Sequence, residues 1–293
     1  NANRPDTCNP DALPLRTNES YFEYLEQIEN APNQTRREKL RTEFGIVKCV
    51  IWSRLATFFP TFFFPPDLAH LLYENVTPHL WDLWSGKVEP VEGDRHLLST
   101  DQKILVGELM DNAVIDLPAR FSNRIRNLDK FRNTRYSIYE WLGWVHWHSI
   151  PILLEVGFHI ELIQHWTNFV SAVKIITNIH AASLSQLQSA GSFMSGFCTG
   201  FEELYVRNIP ALVRRVPMSL HQLLHIVPLS KILGSLMNFT QLPLERNLGT
   251  EKDKLGSRRL PYAELANNLI RREQLNILKL YIPRIDTSPK PTK

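Results

Sequence analysis

The residues able to do chemistry fall into a few groups. Asp67-x-x-His70, followed by Glu74-Asn75, stands directly after Pro65-Pro66, and Leu244-Glu245-Arg246-x-x-Gly249 is followed by Lys252. Carboxylates and an imidazole one helical turn apart can pass a proton, and carboxylate oxygens can hold a hard divalent cation. The plainer reading makes Asp67 a helix cap, His70 a satisfied helix residue and Glu245-Arg246 a surface charge pair; composition alone favours it. His221 and His225 stand four apart, a spacing that can bind zinc. Gln222, however, occupies the place of the glutamate in H-E-x-x-H, and no Cys lies near, so a helix-face or core role is preferred. His146 and His148, interleaved with Trp144 and Trp147, read as packing residues of an aromatic helix, and the seven Trp read mostly as core. No Gly-rich phosphate loop, G-x-S-x-G elbow or Cys/His nucleophile pair is present.

The elements that must position these groups are helices. Residues 19–30 carry apolar positions at helical spacing after Asn18 and stop at Pro32; residues 35–44 form a charged helix that Gly45 closes. GIVKCVIWSRL is short and β-branched, either a buried strand or a tight turn into a helix. FFPTFFFPP is expected to be extended and packed, since each Pro lacks a donor and restricts its predecessor. A helix then starts at Asp67, with Leu68, Leu71, Leu72, Val76, Leu80, Leu83 and Trp84 on one face, a kink at Pro78 and an end at Gly86. Residues 87–98 read as a polar linker, 100–115 as an amphipathic helix and 116–136 as a basic loop. Helices follow over 137–155 (bent or broken at Pro151), 160–180, 184–207, 219–236 and 261–281, and the tail from 284 is expected to be disordered. The class is mainly α, with no internal repeat.

The chain has 293 residues and a net charge of +3. Its 43% of hydrophobic residues excludes wholesale disorder and supplies ample core. Three cysteines, Cys8, Cys49 and Cys198, exclude a disulfide scaffold and fit a reducing, intracellular compartment. The polar N-terminus has no signal-peptide core, and the apolar stretch 46–72 is broken by charges and prolines, so no membrane span is expected. A first residue of Asn1 suggests a processed chain or a piece of a longer one. The modest net charge hides two basic clusters. Residues 116–135 hold six basic residues against two acidic ones (+4), and residues 246–259 hold five against two (+3). Such clusters can meet phosphate, although a solvated face is the commoner outcome.

One ordered series of motifs goes beyond composition. FGIVKCVIWSRLATFFPTFFFPPDLAHLLYENVTPHLWDLWSG resembles a segment of the transposases of CACTA-type (En/Spm-like) DNA transposons in their fungal branch. Gly45-Ile46, Phe62, Pro65, Asp67, His70-Leu71, Glu74-Asn75-Val76 and Leu83-Trp84-x-Gly86 fall in register with it. LPLRTNESYFEY upstream is similar to the start of that family's charged helix. YSIYEWLGWVHWHSIPILLE, HIELIQHWTNFVSAVKII, the block running from MSLHQLLHIVPL to LPLERNLGTEKDKL, and SRRLPYAELANNLIRREQLNIL resemble later elements in the same order. The resemblance covers roughly residues 13–283. Departures occur at Ala69, Leu244 and Leu260, where the family has Met, an aromatic residue and Asn, and suggest divergence or decay of the element.

The resemblance implies a DDE-type, RNase H-like enzyme that cleaves and transfers DNA strands with two Mg²⁺ ions held by clustered carboxylates. By the same pattern the early catalytic carboxylates precede Asn1, so the chain would hold only the later part and be inactive alone. Expected regions are 1–95, the later part of the RNase H-like core with its leading helices; 96–240, a helical insertion; 241–283, returning C-terminal helices; and 284–293, a tail. Glu245 would be the last metal-binding carboxylate and Arg246 would hold a phosphate or brace it. Gly249 would permit close helix packing. Asp67 and His70 would support the catalytic cleft, Asp67 as a cap and His70 towards DNA or the carboxylates. Arg120, Arg124, Arg126 and Arg132, with Arg246, Lys252, Arg258 and Arg259, would touch the DNA backbone. A nuclear location follows from the same resemblance. The alternative is a non-catalytic helical interaction protein or domesticated transposon remnant.

Overall fold

The computed structural model describes residues 16–116, 125–134, 136–178, 182–253, 255–256 and 259–282. Among these the protein is mainly α, with no β-strand. The described residues fall into two compact units, one ending at Thr240 and one beginning at Gln241.

The first unit opens with α1 (Asn18–Glu29), whose N-terminus is closed by a reciprocal capping box between Thr17 and Ser20. Asn33 caps α2 (Gln34–Phe44), and Gly45, at φ 65°, ends it in the left-handed conformation that a side chain resists. Tyr21, Leu25, Ile28, Leu40, Ile46 and Phe58 bury together in this layer. GIVKCVIWSRL is not a strand: it ends in a 3₁₀ turn, Ile51–Arg54. The aromatic run is not wholly extended either. Pro60 starts one helical turn, α3 (Pro60–Phe63), because a first-turn position needs no N–H.

The chain then turns through Pro65-Pro66 into the spine of the unit. A π-helical stretch, His70–Val76, runs directly into α4 (Thr77–Trp84). Leu71, Leu72, Val76, Leu80, Leu83 and Trp84 are all at most 2% exposed. Pro78 does not break this helix: it lies just beyond the wide turn, where the Thr77 N–H already reaches back to the Leu72 carbonyl.

Residues 87–98 are a correction to the linker expectation. Leu98 donates its backbone N–H to the Trp84 carbonyl, and His96 and Leu98 are buried. α5 (Thr100–Asp116) follows, then the short α6 (Leu128–Phe131) inside what was expected to be loop. α7 (Ile138–Gly143) carries a Ser137–Glu140 capping box. It passes through a second π stretch, Trp144–His148, into α8 (Ser149–Glu155). Pro151 therefore does not break the run. It lies just beyond the wide turn, where the Ser149 N–H already reaches back to Trp144, and its missing donor is absorbed.

α9 (Ile160–Ile176) and α10 (Leu184–Phe201) pack along their lengths, and a third π stretch, Glu202–Val206, closes the latter. A 3₁₀ helix, Pro210–Arg215, leads to α11 (Met218–Leu233). The core here is aromatic. Trp84 meets Trp166 edge-on at 5.3 Å, and Phe169, Phe197, Phe201 and Tyr205 extend the stack. The Trp84 indole N–H donates to the Tyr205 hydroxyl at 2.9 Å. Trp81, Trp84, Trp141, Trp144 and Trp166 are buried, while Trp52 and Trp147 are exposed.

The second unit holds α12 (Leu242–Asp253) and α13 (Pro261–Tyr281). Arg272 on α13 donates to Glu251 on α12 at 2.9 Å. Beyond the backbone of its own helix and its chain neighbours, no described atom of this unit comes within 4 Å of where a Cβ on Gly249 would sit, so the close packing expected at this glycine is not seen within the unit.

Candidate functional site

Asp67, His70 and Glu74 form a stack at the start of the π stretch. The Asp67 carboxylate accepts from the backbone N–H of Ala69 at 2.9 Å and of His70 at 3.4 Å, so it caps the helix. Its other oxygen lies 2.9 Å from His70 Nδ1, and His70 Nε2 lies 3.5 Å from the Glu74 carboxylate. The Asn75 amide donates to the His70 carbonyl at 3.0 Å. Exposure rises along the stack, from 11% for the Asp67 side chain to 29% for His70 and 45% for Glu74. An imidazole so oriented, with one edge on the surface, can relay a proton or meet a polar ligand. Pro66, immediately before Asp67, lines an apolar cleft of about 670 Å³ walled by Phe62 and Phe64 on one side and by Pro228 and Ile232 of α11 on the other.

Glu245 lies in the first turn of α12, and it, Arg246, Lys252 and Arg259 are exposed. They belong to the second unit, whereas Asp67 and His70 belong to the first. The buried carboxylate of the second unit is Glu251, which pairs with Arg272. Among the described residues, no group of three or more His, Cys, Asp or Glu side chains is arranged to hold a metal ion. The described residues therefore do not by themselves make the Mg²⁺ site that the resemblance implies.

Arg126 and Arg132 are tied to the protein itself. Arg126 forks onto Glu140 through Nε at 2.6 Å and Nη2 at 2.9 Å, and stacks over Phe131 and Tyr136. Burial would raise Glu140, but the hydrogen bonds from Arg126 and Ser137 outweigh it and hold the carboxyl at about 2. Arg132 donates to Asp82 at 2.9 Å and lies over Trp141. Arg120, Arg124 and Arg258 lie outside the described residues.

The histidines of the aromatic helix pack as expected, with a partner that spacing could not supply. His146 Nε2 lies 2.8 Å from the Tyr73 hydroxyl, joining the first two π stretches. Burial, helped by the charge of Lys174, pushes His146 down to about 4; burial also lowers His148.

The most concentrated charge chemistry lies where sequence reading placed a linker. The Asp94 side chain is wholly buried and accepts from Arg215 at 3.0 and 2.6 Å and from the Val91 N–H at 2.8 Å. Arg207 reaches the same carboxylate at 3.0 Å, and Arg215, also fully buried, donates further to the carbonyls of Tyr205 and Glu89. Burial alone would raise Asp94; the hydrogen bonds from Arg215 and Val91, with the charges of His96 and Arg215, bring it below its ordinary value. His96, 2% exposed, is held at about 4 by burial and the two arginines, against the pull of Asp94. The cluster clamps residues 89–96 to the 3₁₀ helix 210–215, with the Asp94 and Arg215 side chains sealed inside and Arg207 at its partly exposed edge. The one sequence signal was the Gly93-Asp94-Arg95-His96 run, which has nothing local to mark its partners more than 110 residues away.

No protein-family model, no curated protein and no solved structure matches the chain.

Proposed function

We propose that the chain is the helical, later part of a DDE-type transposase of the CACTA class, serving as a scaffold and DNA-facing surface in the full-length enzyme and inactive alone. The observation that carries this reading is the ordered series of motifs over residues 13–283, joined to one feature of the geometry. Within the motif Asp67-x-x-His70-x-x-x-Glu74, the three polar side chains form an open stack, whereas Leu71, Leu72 and Val76 between and beyond them are buried. In this reading Glu245 supplies one carboxylate of a Mg²⁺ site whose other ligands, and whose RNase H-like sheet, come from outside the described residues. Asp67 orients His70, and His70 faces DNA or the catalytic carboxylates. Lys252 and Arg259, exposed on and after α12, would join Arg246 in phosphate contact, while Arg126 and Arg132 already pair with Glu140 and Asp82.

Two assays test it. A version extended towards the N-terminus is expected to nick duplex DNA in Mg²⁺, and Glu245→Gln to abolish nicking; unchanged nicking by the variant removes the Glu245 role. The chain itself is expected to bind duplex DNA with affinity that falls with salt, by a logarithmic slope of about −0.9 for each phosphate contact. Alanine at Arg246, Lys252 or Arg259 is expected to reduce that slope by about one each. Absence of salt-dependent binding removes the DNA surface.

The second reading, a non-catalytic helical interaction protein, is favoured by one observation. α13 buries no residue, yet is amphipathic, with Tyr262, Ile270, Ile277, Leu280 and Tyr281 exposed. Coding sequence upstream of Asn1 that specifies a strand-borne Asp-Gly motif supports the transposase; its absence supports the interaction protein.

A further inference from the structure

α11 carries a pair of groups that neither reading uses. His221 and His225 lie one turn apart near its N-terminal end, and their Nε2 atoms face each other at 3.0 Å. His221 is exposed; His225 is half-buried and, with Gln222, lines the 670 Å³ cleft. Two imidazole nitrogens bound to one ion at about 2.0–2.1 Å would stand about 2.9 Å apart at a right angle and about 3.4 Å apart at the tetrahedral angle. At 3.0 Å the two rings share an N–H···N hydrogen bond in the metal-free chain, and an ion would replace that shared proton with little change in separation. A right angle between neighbouring ligands is the preference of Cu²⁺ and Ni²⁺, whereas Zn²⁺ favours the tetrahedral arrangement.

We propose that His221 and His225 form a two-imidazole site for a divalent first-row transition metal, Cu²⁺ first and Ni²⁺ next, at the rim of the apolar cleft. The helix supplies the preorganisation: the i, i+4 spacing sets both rings on one face, so the second nitrogen binds without further ordering of the backbone. No third His, Cys, Asp or Glu joins the pair among the described residues, so water fills the remaining positions. The site is chemically distinct from an Mg²⁺ centre, which takes oxygen ligands, and it stands or falls independently of the DNA reading.

The test is titration of the whole chain with Cu²⁺ alone, followed by calorimetry and by electron paramagnetic resonance. One site per chain with two imidazole nitrogens is expected, with weaker binding of Ni²⁺ and Zn²⁺ in that order. Loss of a ligand's outer partner already costs about 10–100-fold in affinity, so His221→Ala or His225→Ala is expected to weaken Cu²⁺ at least about tenfold and remove one nitrogen from the spectrum. His221→Gln and His225→Gln, which keep bulk and polarity on the helix, are expected to do the same with unchanged helical content. His159→Ala, at an exposed histidine outside the pair, is expected to leave binding intact. Undiminished Cu²⁺ binding in the double variant, or a spectrum that reports only the amino terminus and backbone nitrogens, overturns the proposal.

Discussion

A single carboxylate illustrates how much one residue can hold. Asp94 balances two arginines in a site where it and Arg215 are fully sealed from solvent. Asp94→Asn keeps the shape but leaves a buried guanidinium without its counter-charge. Such a loss costs about 3–5 kcal/mol, and a urea titration of the variant against the parent chain measures it; a change under about 1 kcal/mol would show that the cluster is open to water. The buried imidazoles make a separate prediction. His96, His146 and His165 sit near pKa 4 in the fold against an ordinary 6.5, burial being the leading cause for each. All three are neutral in the native state, while the unfolded chain takes up their protons. The stability they contribute is complete above pH 6.5, declines as pH falls, and is gone below about 4. Denaturation midpoints measured between pH 7 and pH 4 are expected to fall accordingly. His146→Gln is expected to make that fall shallower by one proton's share; an unaltered slope would exclude His146 from the linkage.

At the scale of elements, helix glycines separate packing from propensity. Gly143, at the end of α7, faces Ile125, and an added Cβ would collide with that side chain. Gly249 in α12 has no such neighbour within its unit. Alanine is favoured over glycine in a helix by about 0.8–1.0 kcal/mol, and overpacking costs about 1–3 kcal/mol. Gly143→Ala is therefore expected to lower the thermal midpoint, and Gly249→Ala to raise helical content by circular dichroism. The same sign for both would mean that propensity alone governs. The three π stretches belong to this scale too. Two of them meet through Tyr73 and His146, so Tyr73→Phe, which removes only a hydroxyl, is expected to cost about 0.5–1.5 kcal/mol, read as a shift in the urea midpoint.

For the molecule as a whole, the core and the exposed basic candidates Arg246, Lys252 and Arg259 lie in different units. Every buried apolar residue among those described lies at or before Leu236, and the second unit contributes none. A chain ending at Thr240 is expected to melt within about 4 °C of the full chain, the shift that about 1 kcal/mol produces in a domain of this size. It is also expected to lose the salt-dependent part of DNA binding, since Arg246, Lys252 and Arg259 go with the second unit. Full retention of DNA binding by the truncated chain would move the surface to the first unit. No single described helix is long and apolar enough to cross a membrane.

Local order was legible in the residues themselves. The apolar stripe of Leu68 to Trp84, the cap at Asp67, the glycine closing α2 and the proline opening α13 are short-range signals, and each appears at its place in the fold, although the stripe's His70–Val76 part winds as a π-helix and not at 3.6 residues per turn. The aromatic core was legible in the same way, because five of the seven Trp sit on the buried faces of periodic helices. Periodicity says nothing, however, about residues far apart in the chain. It could not join Asp94 to Arg207 and Arg215, tie Arg126 to Glu140 so that it is no longer a free cation for phosphate, or set Tyr73 against His146. Residues 87–98 read as a linker because polarity is the local mark of a solvent-exposed loop, and only a distant arginine makes burial of Asp94 tolerable. The His221–His225 spacing was visible from the outset. The 3.0 Å between their nitrogens depends on side-chain rotamers, which spacing along the chain does not set.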